Sequence, residues 1–383
     1  MPRFVIIEYL ANLQIMQNHT LVFIPDISGF TEFVNETAIE HSQHIISELL
    51  EIIINTDKLN LTVSEIEGDA ILFYKKDGIP DFNELFEQSR EMFLRFHTHL
   101  REIEESNVCQ CGACKTASNL SLKFITHLGD IKEVSVKQFN KLMGSDLILA
   151  HRLLKNNIKS KEYLLLSDSY FHNNLPDSSK LEDWVAIKSN NEEVDKFGTV
   201  STKYIDFTPL LQKVPEFIKE NQSNVYVRKP DIIITIDAPL FVVHGALTDA
   251  NAKYNYVPGI KKIVANDKIN RINSSHTCVF DNLEIHFVTK NNTVDNNRIT
   301  YSEEAELTKG FRFITDYRLQ EIDSKTELSI YFFRPQLANK ELETIFKKTK
   351  EYFFLKFIII NNRKGIKLFK DYCEKIHKES SEK

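Results

Sequence analysis

Two aspartates limit the folds open to this chain. Asp26 ends the apolar run Leu21-Val22-Phe23-Ile24-Pro25, and Asp69 follows Gly68 between the stretches Leu61–Ile66 and Ala70–Lys75. Each stands at the end or turn of a strand-like segment, close to a glycine. They lie 43 residues apart, which leaves room for a helix between two strands that neighbour each other in one sheet. Two carboxylates held this way can bind a pair of divalent cations, the usual device for activating a hydroxyl and steadying a triphosphate in phosphoryl transfer. The alternative is two turn residues that cap strand ends.

The segments around them alternate between strand and helix. His19–Ile24 reads as a buried strand, and Phe30–Asn55 as a helix with Ile45, Ile46, Leu49, Leu50 and Ile53 at helical spacing. Leu61–Ile66 and Ala70–Lys75 read as a hairpin with Glu67-Gly68-Asp69 at its tip. Asp81-Phe82-Asn83-Glu84 is a capping box that opens a helix to about Glu105. Leu120–His127 is a strand with Lys132–Val136 as its expected partner. Asp146–Asn156 is a helix, and Tyr163–Leu166 and Thr199–Ile205 close the domain. This order predicts an α+β sheet with its helices on one side.

Three of these pieces carry a resemblance. Phe23-Ile24-Pro25-Asp26-Ile27-Ser28-Gly29-Phe30-Thr31 resembles the Asp-Ile-x-Gly-Phe-Thr signature of class III nucleotidyl cyclases, and Glu65–Ala70 resembles their Gly-Asp hairpin. Met143–Leu153 resembles their arginine-bearing helix. The order and approximate spacing match, over residues 18–207, and the implied fold is a ferredoxin-like cyclase-homology domain. The likeness is to a bacterial branch of cyclase-like proteins in which a second domain follows.

The resemblance implies roles. Asp26 and Asp69, helped by the Ile27 carbonyl, would hold two Mg²⁺ or Mn²⁺ ions. Arg152 would be the catalytic arginine that stabilises the transferring phosphate of a nucleoside triphosphate. Glu65 and Lys141 fall on the two nucleotide-binding positions that read the base. Two departures stand out: Ile148 replaces the ribose-orienting asparagine, and Lys141 replaces an aspartate, threonine or cysteine. Sites of this family form between protomers, so a homodimer is implied. A degenerate fold that binds a nucleotide or a partner without chemistry remains the alternative, as does a function seated in the second half.

From about residue 228 the grammar changes. A strand at Asp231–Ile236 precedes short helical segments at Pro239–Asp249 and Asn251–Val257. Six strand-like runs follow, from Ile260 to Phe333, and then a long amphipathic stretch, Asn339–Cys373. That pattern resembles the START-like helix-grip fold (the polyketide cyclase group) over residues 228–376, with Asp237-Ala238-Pro239 and Tyr256-Val257-Pro258-Gly259 as the best local matches. It implies a small hydrophobic ligand held between the sheet and the last helix. Tyr254, Tyr256, Phe311, Phe313, Tyr317 and Phe332 could line such a cavity, flanked by Arg312 and Arg318; ordinary core packing explains the same aromatics. Residues 1–17 read as an N-terminal extension, 208–227 as a linker and 377–383 as a polar tail.

Cys109-x-Cys111-x-x-Cys114 puts three thiols within six residues, enough to wrap a structural Zn²⁺ if His127, His99 or His97 supplies a fourth ligand. Reduced surface thiols and a redox switch are the alternatives. Five cysteines in all suit a cytoplasmic setting better than a secreted disulfide framework. A net charge of −6 argues against a general nucleic-acid binder. The longest apolar run, Phe353–Ile360, is interrupted by Lys356 and is too short to span a bilayer. The sequence has no Walker loop, dinucleotide glycine fingerprint or nucleophile elbow.

Overall fold

A computed structural model describes residues 19–35, 39–108, 116–217, 228–265, 269–295, 297–307, 311–333 and 345–381, without the side chains of 35, 39, 40, 136, 139, 140, 345–355, 357–362 and 381. The chain divides into two compact units, Met1–Glu102 with Lys115–Phe217, and Ile103–Cys114 with Ile218–Lys383. Both are mixed α+β.

In the first unit the chain runs β1 (Thr20–Ser28), α1 (Phe30–Asn35), α2 (Ile39–Asn55), β2 (Thr62–Glu67), β3 (Ala70–Lys75) and α3 (Phe82–Ser106). It continues as β4 (Ser121–Gly129), β5 (Lys132–Val136), β6 (Phe139–Met143), α4 (Ser145–Leu153), β7 (Tyr163–Ser167), α5 (Asp168–Phe171), β8 (Ile187–Val194) and β9 (Gly198–Asp206). Seven strands form one sheet in the order β2-β3-β1-β4-β7-β9-β8. Only β4 and β7 run parallel, and the β5–β6 hairpin and α4 supply the long crossover that a parallel pair requires.

Strand β1 is buried almost without interruption, as a central strand covered on both faces must be. Val22 and Ile24 pack with Leu147, Ala150 and Leu153 of α4, on one face. Phe23, on the other, stacks on Phe124, which packs on Phe207, which in turn meets Phe93 of α3. Helices therefore cover both faces, not one. A second correction concerns β5: it pairs with β6 in a separate two-stranded sheet, not with β4, because β1 and β7 already occupy both edges of β4. The capping box at the start of α3 forms as the sequence predicts, with Glu84 N donating to Asp81 Oδ1 at 2.8 Å and Asp81 N to Glu84 Oε2 at 2.9 Å.

The second unit runs β10 (Ile232–Ile236), α6 (Leu240–Thr248), α7 (Lys253–Tyr256), β11 (Lys262–Ala265), β12 (Ser275–Val279), β13 (Glu284–Asp295), β14 (Arg298–Leu307), β15 (Arg312–Ile322), β16 (Lys325–Phe333) and α8 (Ile345–Ser381). Its seven strands are antiparallel throughout, in the order β10-β16-β15-β14-β13-β12-β11. One face of the sheet, with Ile299, Tyr301, Ala305, Phe313 and Leu328, packs with Leu240 and Val243 of α6 and with Phe369 and Cys373 of α8. Residues 377–381, read as tail, continue α8.

Candidate functional site

Strand register assembles the first site. Asp26 lies opposite Ala70 in the β1–β3 ladder, and Ile27 N donates to the Asp69 carbonyl at 3.0 Å. The Gly68-Asp69 turn therefore sits beside the end of β1, with Gly68 in the left-handed region at φ +65°, where glycine is favoured. The two carboxylates feel each other: burial and then the Asp26 charge hold the Asp69 carboxyl above its usual range, against its own backbone hydrogen bond and Lys123.

Lys123, on the other side of β1, is directly opposite Asp26 in the β1–β4 ladder. Its Nζ lies 2.9 Å from Asp26 Oδ2 and donates to the Leu154 carbonyl at 3.1 Å. Sequence reasoning missed this lysine, although the signal was present. In Leu120–Leu128 it is the one lysine in a mostly apolar strand, and alternation places it on the same face as Ile125 and His127. Below it, burial raises the Tyr163 hydroxyl pKa, and Asn156 Nδ2 donates to that oxygen at 2.7 Å.

Two ion pairs involve the β2 side of the hairpin. Glu65 and Lys141 meet each other, with Nζ 3.5 Å from Oε2. On α4, His151 Nδ1 lies 3.5 Å from Glu67 Oε2. Arg152 is exposed and its side chain makes no ion pair or hydrogen bond with a described residue. Ile148 is also exposed. The start of α4 is fixed by Asp146, whose Oδ2 accepts from Asp130 N at 2.8 Å and which packs so closely on Gly129 that a Cβ there would lie 2.4 Å from the Asp146 Cβ.

The place expected for the divalent cations is contested by a lysine. Lys123 already puts a positive charge on Asp26, and among the described residues no group of three or more His, Cys, Asp or Glu side chains is placed to hold a metal ion. The three cysteines of the expected zinc site lie outside the described residues. His127 is buried; its Nε2 lies 3.4 Å from Asp146 Oδ1 and its Nδ1 3.4 Å from Ser169 Oγ, so both nitrogens face neighbours of their own. His97 Nε2 lies 2.7 Å from Glu162 Oε1, and His99 lies between Glu48 and Glu102.

A second site is a cavity of about 470 Å³ inside the second unit. Tyr256, Phe313, Tyr317 and Phe332 line it, as expected. Tyr254 does not: it is half exposed, one position round α7 from Lys253, and its hydroxyl accepts from Ile263 N at 2.7 Å. Phe311 packs on Phe313 without reaching the cavity. Arg312 and Arg318 belong to the opposite face of β15, where they pair with Glu306 and Asp316. The cavity lining also holds an ion pair that the sequence did not disclose, Lys253 with Glu303; Lys253 Nζ is 3.2 Å from each carboxylate oxygen.

The family described as "Protein of unknown function (DUF2652)" matches residues 46–163. A Mycobacterium tuberculosis protein described as "Uncharacterized protein Rv2561/Rv2562" is 35% identical over 122 residues, which are 32% of this chain and 57% of that protein. The chain thus spans little more than half the length of that curated relative. Solved structures similar to about half the chain are class III cyclase domains. The guanylate cyclase domain of RhGC from Catenaria anguillulae, in complex with GTP, is 14% identical, over 49% of this chain and 96% of that one, with a TM-score of 0.34. The adenylyl cyclase CyaB from P. aeruginosa is 15% identical, over 49% and 93%, with a TM-score of 0.35.

Proposed function

We propose that the first unit is a nucleotidyl cyclase-like domain that binds a nucleoside triphosphate but turns it over poorly, because its own lysine stands where a cation would act. The observation that carries this reading is Lys123 Nζ at 2.9 Å from Asp26 Oδ2. Arg152, exposed and without a described partner, is the group offered to a phosphate. Ile148 offers the ribose no hydrogen bond, which weakens the orientation that phosphoryl transfer needs.

The test is to incubate the protein with Mn²⁺ and each of the four ribonucleoside triphosphates, and to measure both nucleotide binding and cyclic nucleotide by mass spectrometry. The wild type binds a triphosphate, and Arg152→Ala weakens this by about tenfold, as loss of a charge-assisted contact should. Cyclic product is scarce in the wild type, rises in Lys123→Met and is absent in Asp26→Ala. A wild type that binds no nucleotide would sink the reading. Rapid turnover that Lys123→Met leaves unchanged would sink the role of the lysine.

A second reading belongs to the second unit, as a START-like helix-grip domain that carries or senses a small hydrophobic ligand. The cavity supports it: about 470 Å³ falls in the range of small-molecule sites, and most of its lining is Leu, Ile, Val and Phe. Homodimer formation, cytoplasmic location and a zinc at the cysteine cluster stay as proposals from the sequence.

A further inference from the structure

We infer that the second unit's cavity selects an electrically neutral amphiphile, an apolar body with one hydroxyl, and rejects the matching acid and amine. The inference rests on the ligand-binding reading of that unit and adds the chemistry of the head group.

The cavity has one buried charged station in a mostly apolar wall; the other charged residue of the lining, Lys364, is exposed. Lys253, from α7, and Glu303, from β14, both line it, and their side chains are 8% and 3% exposed. Three acceptors surround the ammonium: both Glu303 oxygens at 3.2 Å and His276 Nε2 at 2.7 Å. An ammonium has three N–H groups and no lone pair, so its hydrogen-bonding capacity is filled. The Phe287 ring lies 4.1 Å from Nζ and closes a further side.

Glu303 is less fully used. Its Oε1 accepts from the Tyr301 hydroxyl at 2.8 Å, and that hydroxyl is itself held by Asn270 and Thr289, each at 3.2 Å. Its Oε2 has Lys253 as its only hydrogen-bond partner among the described residues. A carboxylate oxygen takes two hydrogen bonds readily, so the station lacks a donor and not an acceptor. A ligand hydroxyl supplies one.

Charge then decides what else can enter. Lys253 and Glu303 cancel, and burial keeps His276 neutral at ordinary pH. At the station a carboxylate or phosphate head would place a second anion against Glu303 while Lys253 is already committed; Lys364, the other cation of the lining, is solvent-exposed, where an ion pair is worth little. An ammonium head would duplicate Lys253. Either brings an uncompensated charge out of water, which is costly, whereas a hydroxyl trades a bond to water for one to a carboxylate. An alkane with no head fits the walls but leaves Oε2 short of a partner.

Four probes with one chain length isolate the head group: 1-dodecanol, dodecanoate, dodecylamine and dodecane. Each is titrated into the full-length protein at pH 7.5, with binding read by displacement of an uncharged apolar fluorophore and checked by native mass spectrometry. The alcohol should bind about tenfold or more tightly than each of the other three. Glu303→Gln should invert the order in favour of dodecanoate, because Lys253 is then unbalanced. Single changes in a buried ion pair can unfold a domain. The doubly neutral Lys253→Met, Glu303→Gln variant therefore accompanies them, and in it the alcohol should lose most of its advantage over the alkane. Dodecanoate or dodecylamine binding as well as dodecanol would overturn the inference and leave the cavity reading standing. Failure of all four probes and the fluorophore to bind would overturn both.

Discussion

Each unit holds a lysine–carboxylate pair in its interior, and the two pairs are built to opposite ends. Lys123 and Asp26 are 18% and 13% exposed and stand beside a second carboxylate, Asp69. One ammonium faces two acids, so the site is short of positive charge. Lys253 and Glu303 are nearly sealed, match one for one, and are completed by neutral groups, His276 and Tyr301. The first arrangement attracts a further cation or tolerates a proton; the second repels any further charge. The same two residue types therefore carry different information, and the surrounding count of charges sets it.

The sharpest way to break the comparison is to remove one partner from each pair. Lys253→Met strands Glu303 and should cost the second unit about 3–5 kcal/mol, measured by hydrogen exchange of β12–β15 amides. Lys123→Met should cost the first unit less, about 1–3 kcal/mol, because that pair is partly open to water. Trp184, the only tryptophan, reports it by fluorescence, since it packs with Phe86 and Phe207 in the first unit.

Acid should separate the units next. The His276 pKa is depressed to about 4, by burial first and then by the Lys253 charge. Its unfolded value is near 6.5, so the unfolded chain binds the proton more readily. The contribution is present above about pH 6.5 and is lost as pH falls towards 4. It amounts to at most about 3 kcal/mol, and His276→Gln should flatten the profile. Asp69 has the opposite sign. Its folded pKa is raised, so the folded state binds the proton more readily, and stability falls as pH rises from the ordinary carboxylate value through the raised one. Asp69→Asn should stabilise the first unit at pH 7 and be neutral below pH 4, by Trp184 fluorescence in urea. Equal pH profiles for wild type and Asp69→Asn would remove the claim that the site is short of positive charge.

A test of packing sharpens the frame around the first site. Gly129→Ala would drive a methyl into Asp146 and should cost about 1–3 kcal/mol, with the N-terminus of α4 displaced. Gly198→Ala is a weaker control: it meets no atom within 4 Å and pays only for its left-handed φ of +71°.

The sequence made the elements legible where period and punctuation agreed. Asp81 and Glu84 announce the start of α3, the Gly68-Asp69 turn announces β2–β3, and β12, β14, β15 and β16 fall within about a residue of their alternating runs, while β13 runs on past Thr289 to Asp295. Pairing was harder to read. Nothing local in Lys132–Val136 says that it will leave the main sheet, because both edges of β4 are taken by strands far away in sequence. Two charged residues escaped for a related reason. Lys123 looks solvent-facing until cross-strand register sets it opposite Asp26, and Glu303 does so until α7 brings Lys253 to it. Alternation sorted the aromatics of β15 correctly, with Phe313 and Tyr317 inward, but it could not say that Phe311 lies outside the cavity or that Tyr254 turns away.

The position of β10 governs how the second unit can be made. Ile232 pairs with Ile330 across almost a hundred residues, whereas β13 to β16 follow one another in sequence and each pairs antiparallel with the next. Contacts between near neighbours form quickly, and those that close long loops form late. The meander should therefore organise first and wait, with one side of β16 open, for the strand that emerged from the ribosome well before it. In that interval the unpaired edge is a template for the wrong partner. The aggregation risk of this protein thus lies in the order of its synthesis, and a second copy's β10 is the natural intruder.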